Sequence, residues 1–383
     1  MPAKRKSSGR RCDRLAVIFP PATCARLIVK VGSALLVDPD GSVRRDWVAG
    51  LVADIAQRMR EGQQVAVVSS GSIALGARRL GLAKGGRASL EDAQAAAATG
   101  QIALSQTWAE LLGAENLNAA QILVTLDDLE DRRRYLNAAA TLNRLLGLRV
   151  VPVINENDSV ATEEIRFGDN DRLAARVAQA AGAQGVLLLS DVDGLYDANP
   201  TTSPAAQHIP HVVRIDDRIA AMADGGSGSG MGSGGMASKI AAARIATGAG
   251  IPLAIASGRI AHPLSTPVRH TLFAAERTAT ARKAWLGGGL TAKGAIHIDA
   301  GAATALAKGG SLLAAGATRI DGGFARGDLV TIEGPSGRIA RGLAEYDAAD
   351  VGRLLGRRSE DHAELLGYAP RSALVHRNHL ALL

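Results

Sequence analysis

Two lysines in this chain stand where a lysine needs a reason. Lys30 falls inside the apolar run LIVKV at 27–31, where an unpaired ammonium is costly, and Gly32-Ser33 follows at once. Lys239 closes the stretch GSGGMASK at 232–239, after a segment, Gly225–Gly235, in which seven of eleven residues are glycine. Each lysine therefore adjoins backbone that something else can approach closely, as phosphate-binding loops require. The second stretch is not a nucleotide P-loop of the GxxxxGK[ST] type, because Ser238 replaces its last glycine and Ile240 follows the lysine. Ser70-Gly71, at the end of another apolar run, admits two readings on spacing alone. It is either a turn or, with the helix start SIALGARRL, a cradle of N–H groups for an anion.

Between these lies INENDSVATEEIRFGDNDRLAARVA, 154–178. Asn155, Asn157, Asp158, Asp169, Asn170 and Asp171 crowd two loops after a buried run. An ordinary N-cap cluster explains part of this, but the asparagines at the end of a core strand ask for more. Carboxylates for an ammonium and amides for a carboxylate suit a small zwitterion. The spacing is not that of a calcium loop, and no Ser/His/Asp triad is present. Lysines and glycine loops without a general base suit phosphoryl transfer to a carboxylate, which is already ionised at neutral pH. Catalysis then reduces to alignment and charge cancellation. One lysine about 4 Å from developing phosphoryl charge contributes roughly 4 kcal/mol at an effective dielectric of about 20.

The elements that must hold these residues alternate. Apolar strands are expected at 25–36, 65–71, 120–125, 148–158, 185–194 and 251–258. Helices are expected at 46–60, 91–112, 135–146, 170–181 and 236–247. Strands without polar alternation, joined by helices, predict a parallel sheet covered on both faces, with ligands at the strands' carboxyl ends. After about residue 291 the texture changes to short glycine-bounded strands, which predicts a small β-rich domain.

Composition supplies bounds. The chain has 383 residues, 47% apolar but only 3% aromatic, so aliphatic side chains must build its core. No apolar run reaches the roughly 18 residues of a membrane span. Two cysteines give no disulfide framework or metal cluster and fit a reducing cytoplasm. The net charge of +7 is a property of the tail: residues 1–26 carry seven basic residues against one acid, whereas 27–290 balance at 26 each. Residues 1–24 are therefore expected to form a basic, disordered leader.

The stretches LIVKVGSALL, VAVVSSGSIALG, VPVINENDSVAT, RFGDNDRLAA, LLLSDVDGLYDANP and GSGGMASKIAAARIATGAG occur in an order that resembles the amino acid kinase family, and within it the glutamate 5-kinase branch. GDLVTI and IARGLAEY resemble a PUA domain. The resemblance implies an αβα sandwich on a mainly parallel sheet at 25–285 and a PUA-like domain at 291–375. It implies ATP-dependent phosphorylation of the glutamate γ-carboxylate, the first step of proline synthesis, with magnesium, feedback inhibition by proline and a homo-oligomer. Lys30 and Lys239 would contact the ATP phosphates, with Asp171 orienting them. Ser70, Asp158 and Asn170 would hold glutamate, with Asn155 and Asp169 nearby. Ser190, Asp191 and the loop Ser233, Gly234, Gly235, Met236, Ala237, Ser238 and Lys239 would bind ATP. Ala237 offers no hydroxyl where the family often has one. Two other readings remain: another acceptor within the family, or RNA binding by the PUA-like domain, against which the near-neutral charge of 291–383 speaks.

Overall fold

A computed structural model describes residues 17–160, 170–224, 235–275, 292–368, 370, 371 and 373–383. The first strand, β1 (Arg26–Val31), is followed by a single helical turn, α1 (Ser33–Leu36), and by α2 (Arg45–Arg60). The apolar run at 25–36 is thus strand only up to Gly32. Next come β2 (Gln64–Ser69), α3 (Ser72–Leu80), α4 (Leu90–Ala114) and β3 (Ala119–Val124). They lead through α5 (Leu126–Glu130) and α6 (Arg132–Gly147) to β4 (Val151–Glu156). Then follow α7 (Asn170–Ala181) and β5 (Gly185–Ser190), with Leu195–Tyr196, His208–Ile209 and His211–Val212 as short strands β6, β7 and β8. The helices α8 (Asp217–Asp224) and α9 (Met236–Gly248) precede β9 (Leu253–Ser257) and β10 (His270–Phe273).

Eight strands form one sheet in the order β3-β4-β2-β1-β5-β9-β10-β8. All its pairs are parallel except β9 with β10, where the chain turns back. That single reversal was not legible in the apolar pattern. Side-chain parity in β1 decides which face each residue serves. Leu27, Val29 and Val31 pack with α2 and α4, while Ile28 packs with α6, α7 and α9. Lys30 shares the parity of Ile28 and so points towards α7 and α9.

The end of the expected leader differs from expectation. Ile18 and Cys24 are buried among the α2-side core. The Arg58 guanidinium, itself buried, donates to the Phe19 and Ile18 carbonyls at 2.8 and 3.0 Å. Gln63 Nε2 also donates to the Phe19 carbonyl. A buried cation that needs acceptors holds residues 17–24 against the domain; residues 1–16 lie outside the described residues.

A second sheet, in the order β12-β11-β13-β14-β15, comprises β11 (Gly294–Ile298), β12 (Ala317–Asp321), β13 (Leu329–Gly334), β14 (Gly337–Leu343) and β15 (Leu380–Leu382). It carries its own core around Ile296, Val330, Ile332 and Val351. Its Leu329, Leu343 and Ala381 belong instead to the apolar cluster of α6 and α7, and Tyr135 of α6 meets the His379 ring edge-on at 5.5 Å.

Helices α3 and α4 cross with their backbones in contact. A Cβ on Gly100 would lie 1.8 Å from the Ser72 carbonyl oxygen, and one on Gly76 would lie 1.8 Å from that of Ala96. Neither obstacle is a flexible side chain, so the helices themselves would have to part. Gly113, on the same α4, has open space around its Cα. Gly100→Ala is expected to lower stability by about 3 kcal/mol or more, the upper end of overpacking costs, whereas Gly113→Ala raises it by about 0.5–1 kcal/mol. Thermal unfolding followed by circular dichroism measures both; equal effects would mean the crossing is looser than described.

Candidate active site

The carboxyl ends of β1, β2, β4 and β5 meet the first turns of α3, α7 and α9, and the residues singled out in the sequence divide there into two groups. The first is a charged triad. Lys30 Nζ lies 2.7 Å from Asp171 Oδ1, and Lys239 Nζ lies 3.1 Å from Asp171 Oδ2. Lys30, Asp171 and Lys239 are 6%, 1% and 4% exposed, so Lys30 does not reach out to solvent. Burial by itself would raise the Asp171 pKa, but the charges of Lys30 and then Lys239 outweigh it and hold the carboxyl below its usual range. Two ammonium groups on one carboxylate leave a net positive charge in a dry place. Such a charge has a high affinity for an anion.

Backbone comes close around this pair. Gly32 N–H donates to the Leu189 carbonyl, joining the ends of β1 and β5, and a Cβ at Gly32 would sit 3.8 Å from Lys30 Nζ. Ser190 ends β5, and its hydroxyl donates to Asp191 Oδ1 at 3.1 Å. Gly235 is the extended N-cap residue of α9, so Met236, Ala237, Ser238 and Lys239 form the helix's first turn. Their backbone N–H groups include those that a helix leaves unsatisfied at its start. Ser233 and Gly234 lie outside the described residues, as does Asp169.

The second group is a chain of amides. Asn170 Nδ2 donates to Ser70 Oγ at 2.9 Å and to Asn155 Oδ1 at 3.1 Å. Asn155 Nδ2 in turn donates to Gln101 Oε1 at 2.8 Å and Ser72 Oγ at 3.2 Å. Both N–H bonds of each asparagine amide are therefore used within the network. Asn155 lies within β4 rather than after it. Gly71, at φ +108°, turns the chain from β2 into α3 as only glycine does readily.

Asp158 stands beside this network, 4% exposed. Burial pushes its pKa up to about 6, against the field of Arg87 and a hydrogen bond with Ser72. Among the described residues its Oδ1 has no hydrogen-bond partner. A cavity of about 280 Å³ opens next to it, lined in part by Ser72, Gln101, Gln121, Asn157, Asp158 and Ser159. Sequence reading missed Ser72 and Gln101. Gln101 did carry a signal, being a polar residue on the face of α4 otherwise made by Ala93, Ala97, Gly100 and Leu104. Ser72 carried none beyond its place at a helix start.

A carboxyl held at about 6 in the fold and about 3.9 when unfolded binds its proton more tightly in the native state. The native state therefore loses stability as pH rises from about 4 through 6, by about 3 kcal/mol in full. Asp158→Asn removes that penalty. The variant is expected to unfold at higher denaturant concentration than the parent above pH 6 and to match it near pH 4. A variant less stable than the parent at pH 8 would contradict the burial account.

Comparison with known proteins gives the family. The model of the amino acid kinase family matches residues 25–257, and that of the PUA domain matches residues 294–366. The glutamate 5-kinase of Sphingopyxis alaskensis is 73% identical over 367 residues, covering 96% of this chain and all of that relative. The glutamate 5-kinase of Novosphingobium aromaticivorans is 62% identical over 377 residues, covering 97% of this chain and all of the relative. The solved UMP kinase from Ureaplasma parvum aligns with a TM-score of 0.44 at 16% identity, over 65% of this chain and 98% of its own. The chain belongs to the amino acid kinase family, in its glutamate 5-kinase branch with a C-terminal PUA domain.

Proposed function

We propose that this chain transfers the γ-phosphoryl group of ATP to the γ-carboxylate of L-glutamate, giving L-glutamyl 5-phosphate and opening proline synthesis. The observation that carries the reading is the buried pair of ammonium groups on Asp171, next to an amide network and an acid-lined cavity of amino-acid size. A γ-carboxylate oxygen attacks the γ-phosphorus, the bond from that phosphorus to the β–γ bridging oxygen breaks, and ADP leaves. No proton has to move. Negative charge shifts onto the bridging oxygen and the transferring group, and Lys30 and Lys239 meet it from β1 and α9 without reorganising. Asp171 keeps both ammonium groups aimed. Glutamate sits towards Ser70, Asn170 and Asp158, with its ammonium group on the Asp158 carboxylate and Asn155 bracing Asn170. ATP lies over Ser190, Asp191 and the first turn of α9.

Magnesium, brought with ATP, would supply further cancellation of phosphate charge. Among the described residues no three His, Cys, Asp or Glu gather as a cage for an ion, and Asp171 is committed to its lysines. Proline, which shares the α-ammonium and α-carboxylate of glutamate, would compete at or near the same pocket as a feedback inhibitor. We further place the enzyme in the cytoplasm as a homo-oligomer. No helix among the described residues is long and apolar enough to cross a membrane.

Two measurements test the reading. Lys239→Ala is expected to lower kcat by at least about two orders of magnitude while the glutamate KM changes little, because the charge it removes acts mainly in the transition state. A folded variant with the parent kcat would refute the clamp. A chain ending after Leu290 keeps every residue assigned to chemistry and is expected to retain glutamate-dependent hydroxamate formation with hydroxylamine. Its melting temperature should fall, since Leu329, Leu343 and Ala381 no longer cover the α6 side of the core. A folded but inactive truncation would show that the second domain completes the site.

A further inference from the structure

Of the stretch LLLSDVDGLYDANP, only Ser190 and Asp191 take part in the reading above, and the residues after them must keep those two in place. Ser190 is fixed from behind: its carbonyl, at the end of β5, accepts from the Gly258 N–H at 2.8 Å. Beyond Asp191 the chain enters β6 and β7. These form a separate two-stranded sheet, whose rungs pair Leu195 with Ile209 and Tyr196 with His208. Strands this short are marginal as a pair by themselves in water. A turn at 191–194 that keeps one shape therefore needs a brace from elsewhere.

The brace comes from β10. Thr271 shares the side-chain parity of Phe273, a member of the apolar cluster with α7 and α9, and has no exposed surface. Its Oγ1 accepts from the Leu195 N–H at 2.7 Å, and its O–H donates to the Ile209 carbonyl at 2.6 Å. Since Leu195 and Ile209 lie opposite one another, one hydroxyl bridges the two sides of their rung. His208 Nε2 stands 3.4 Å from the same oxygen. The turn is drawn tight against this point. Gly194 has φ +148°, and a Cβ there would lie 2.6 Å from Thr271 Oγ1 and 2.5 Å from His208 Nε2. Asp191 to Gly194 thus run between two tethers, the Gly258 N–H at one end and the Thr271 hydroxyl at the other. Valine would fill the same space in β10, but it would leave a buried N–H and a carbonyl short of a partner.

We propose that Thr271 is a positioning residue for the nucleotide: its hydroxyl holds the β6–β7 hairpin, and through it the turn at 191–194, in the shape that receives ATP. This rests on ATP lying over Ser190 and Asp191. Being fully buried, Thr271 touches no substrate and acts only through that turn. The one reversed strand of the large sheet thereby serves the site, since β10 brings the hydroxyl to the seam between β6 and β7.

The test measures, on the full chain, the ATP Kd by calorimetric titration without acceptor and the glutamate KM by turnover. Thr271→Val keeps the side chain's shape and removes the hydroxyl. It is expected to raise the ATP Kd about 10-fold, because the binding-competent hairpin becomes a minority state, with the glutamate KM unchanged. Thr271→Ser restores the hydroxyl without the methyl and should recover most of the ATP affinity. Thr271→Ala also lacks the hydroxyl and takes the place of the valine variant should that not fold. If ATP and glutamate weaken by the same factor, or only the melting temperature falls, the hydroxyl is merely part of the core and the proposal fails. It fails equally if the serine variant binds ATP as poorly as the valine one. Asp191→Ala separates premise from proposal. An unchanged ATP Kd in that variant would overturn the placement of ATP and the proposal with it. A raised one beside an unaffected Thr271→Val would overturn the proposal alone.

Discussion

The Asp171 carboxylate between two ammonium groups is the interaction on which the rest of the site depends. Each lysine by itself would be an uncompensated charge in a nearly dry place, costing several kcal/mol. One carboxylate makes both tolerable and still leaves a positive surplus facing the ends of β1 and β5. The three groups come from β1, α7 and α9, so the ion triad also fixes how those elements sit across the sheet face. Its geometry follows from strand parity: had Lys30 been displaced by one residue, its side chain would have pointed to α2 and α4 instead.

The amide side of the site follows a different rule. It is held by neutral groups whose donors are spent on one another, from Ser70 through Asn170 and Asn155 to Gln101. Such a network gives shape without charge. Beside it Asp158 is buried, its carboxyl pushed up to about 6 by burial, and among the described residues its Oδ1 has no hydrogen-bond partner. Under the proposed placement of glutamate, the stability forgone at Asp158 would be recovered when the substrate ammonium binds, linking the acidity of one carboxyl to discrimination between amino acids and simple carboxylates.

Much of this was legible in the sequence because the parallel sheet leaves a plain trace. Continuous apolar runs such as 65–69 and 185–189, each ending in serine, glycine or asparagine, gave both the strands and the edge at which chemistry gathers. The two lysines were visible as exceptions to local rules, one inside a strand and one after a glycine run. What sequence could not give was pairing across distance. Nothing local says that Asp171, and not Asp158, meets both lysines, since the two aspartates sit in similar company. The reversal at β10 and the attachment of residues 17–24 by Arg58 were equally silent, because each depends on a partner outside its own element.

The contact of α3 with α4 at Gly76 and Gly100 bears on how such a site can change over generations. Gln101, a member of the amide network, is the next residue after Gly100, and Ser72 supplies both a network hydroxyl and the carbonyl against which Gly100 rests. With the backbones touching, no side chain lies between the helices to be enlarged or trimmed by degrees. The inner wall of the pocket is therefore fixed in outline for mechanical reasons. Room for variation lies instead on the outer wall of the pocket, at the exposed Gln121 and Leu123 of β3.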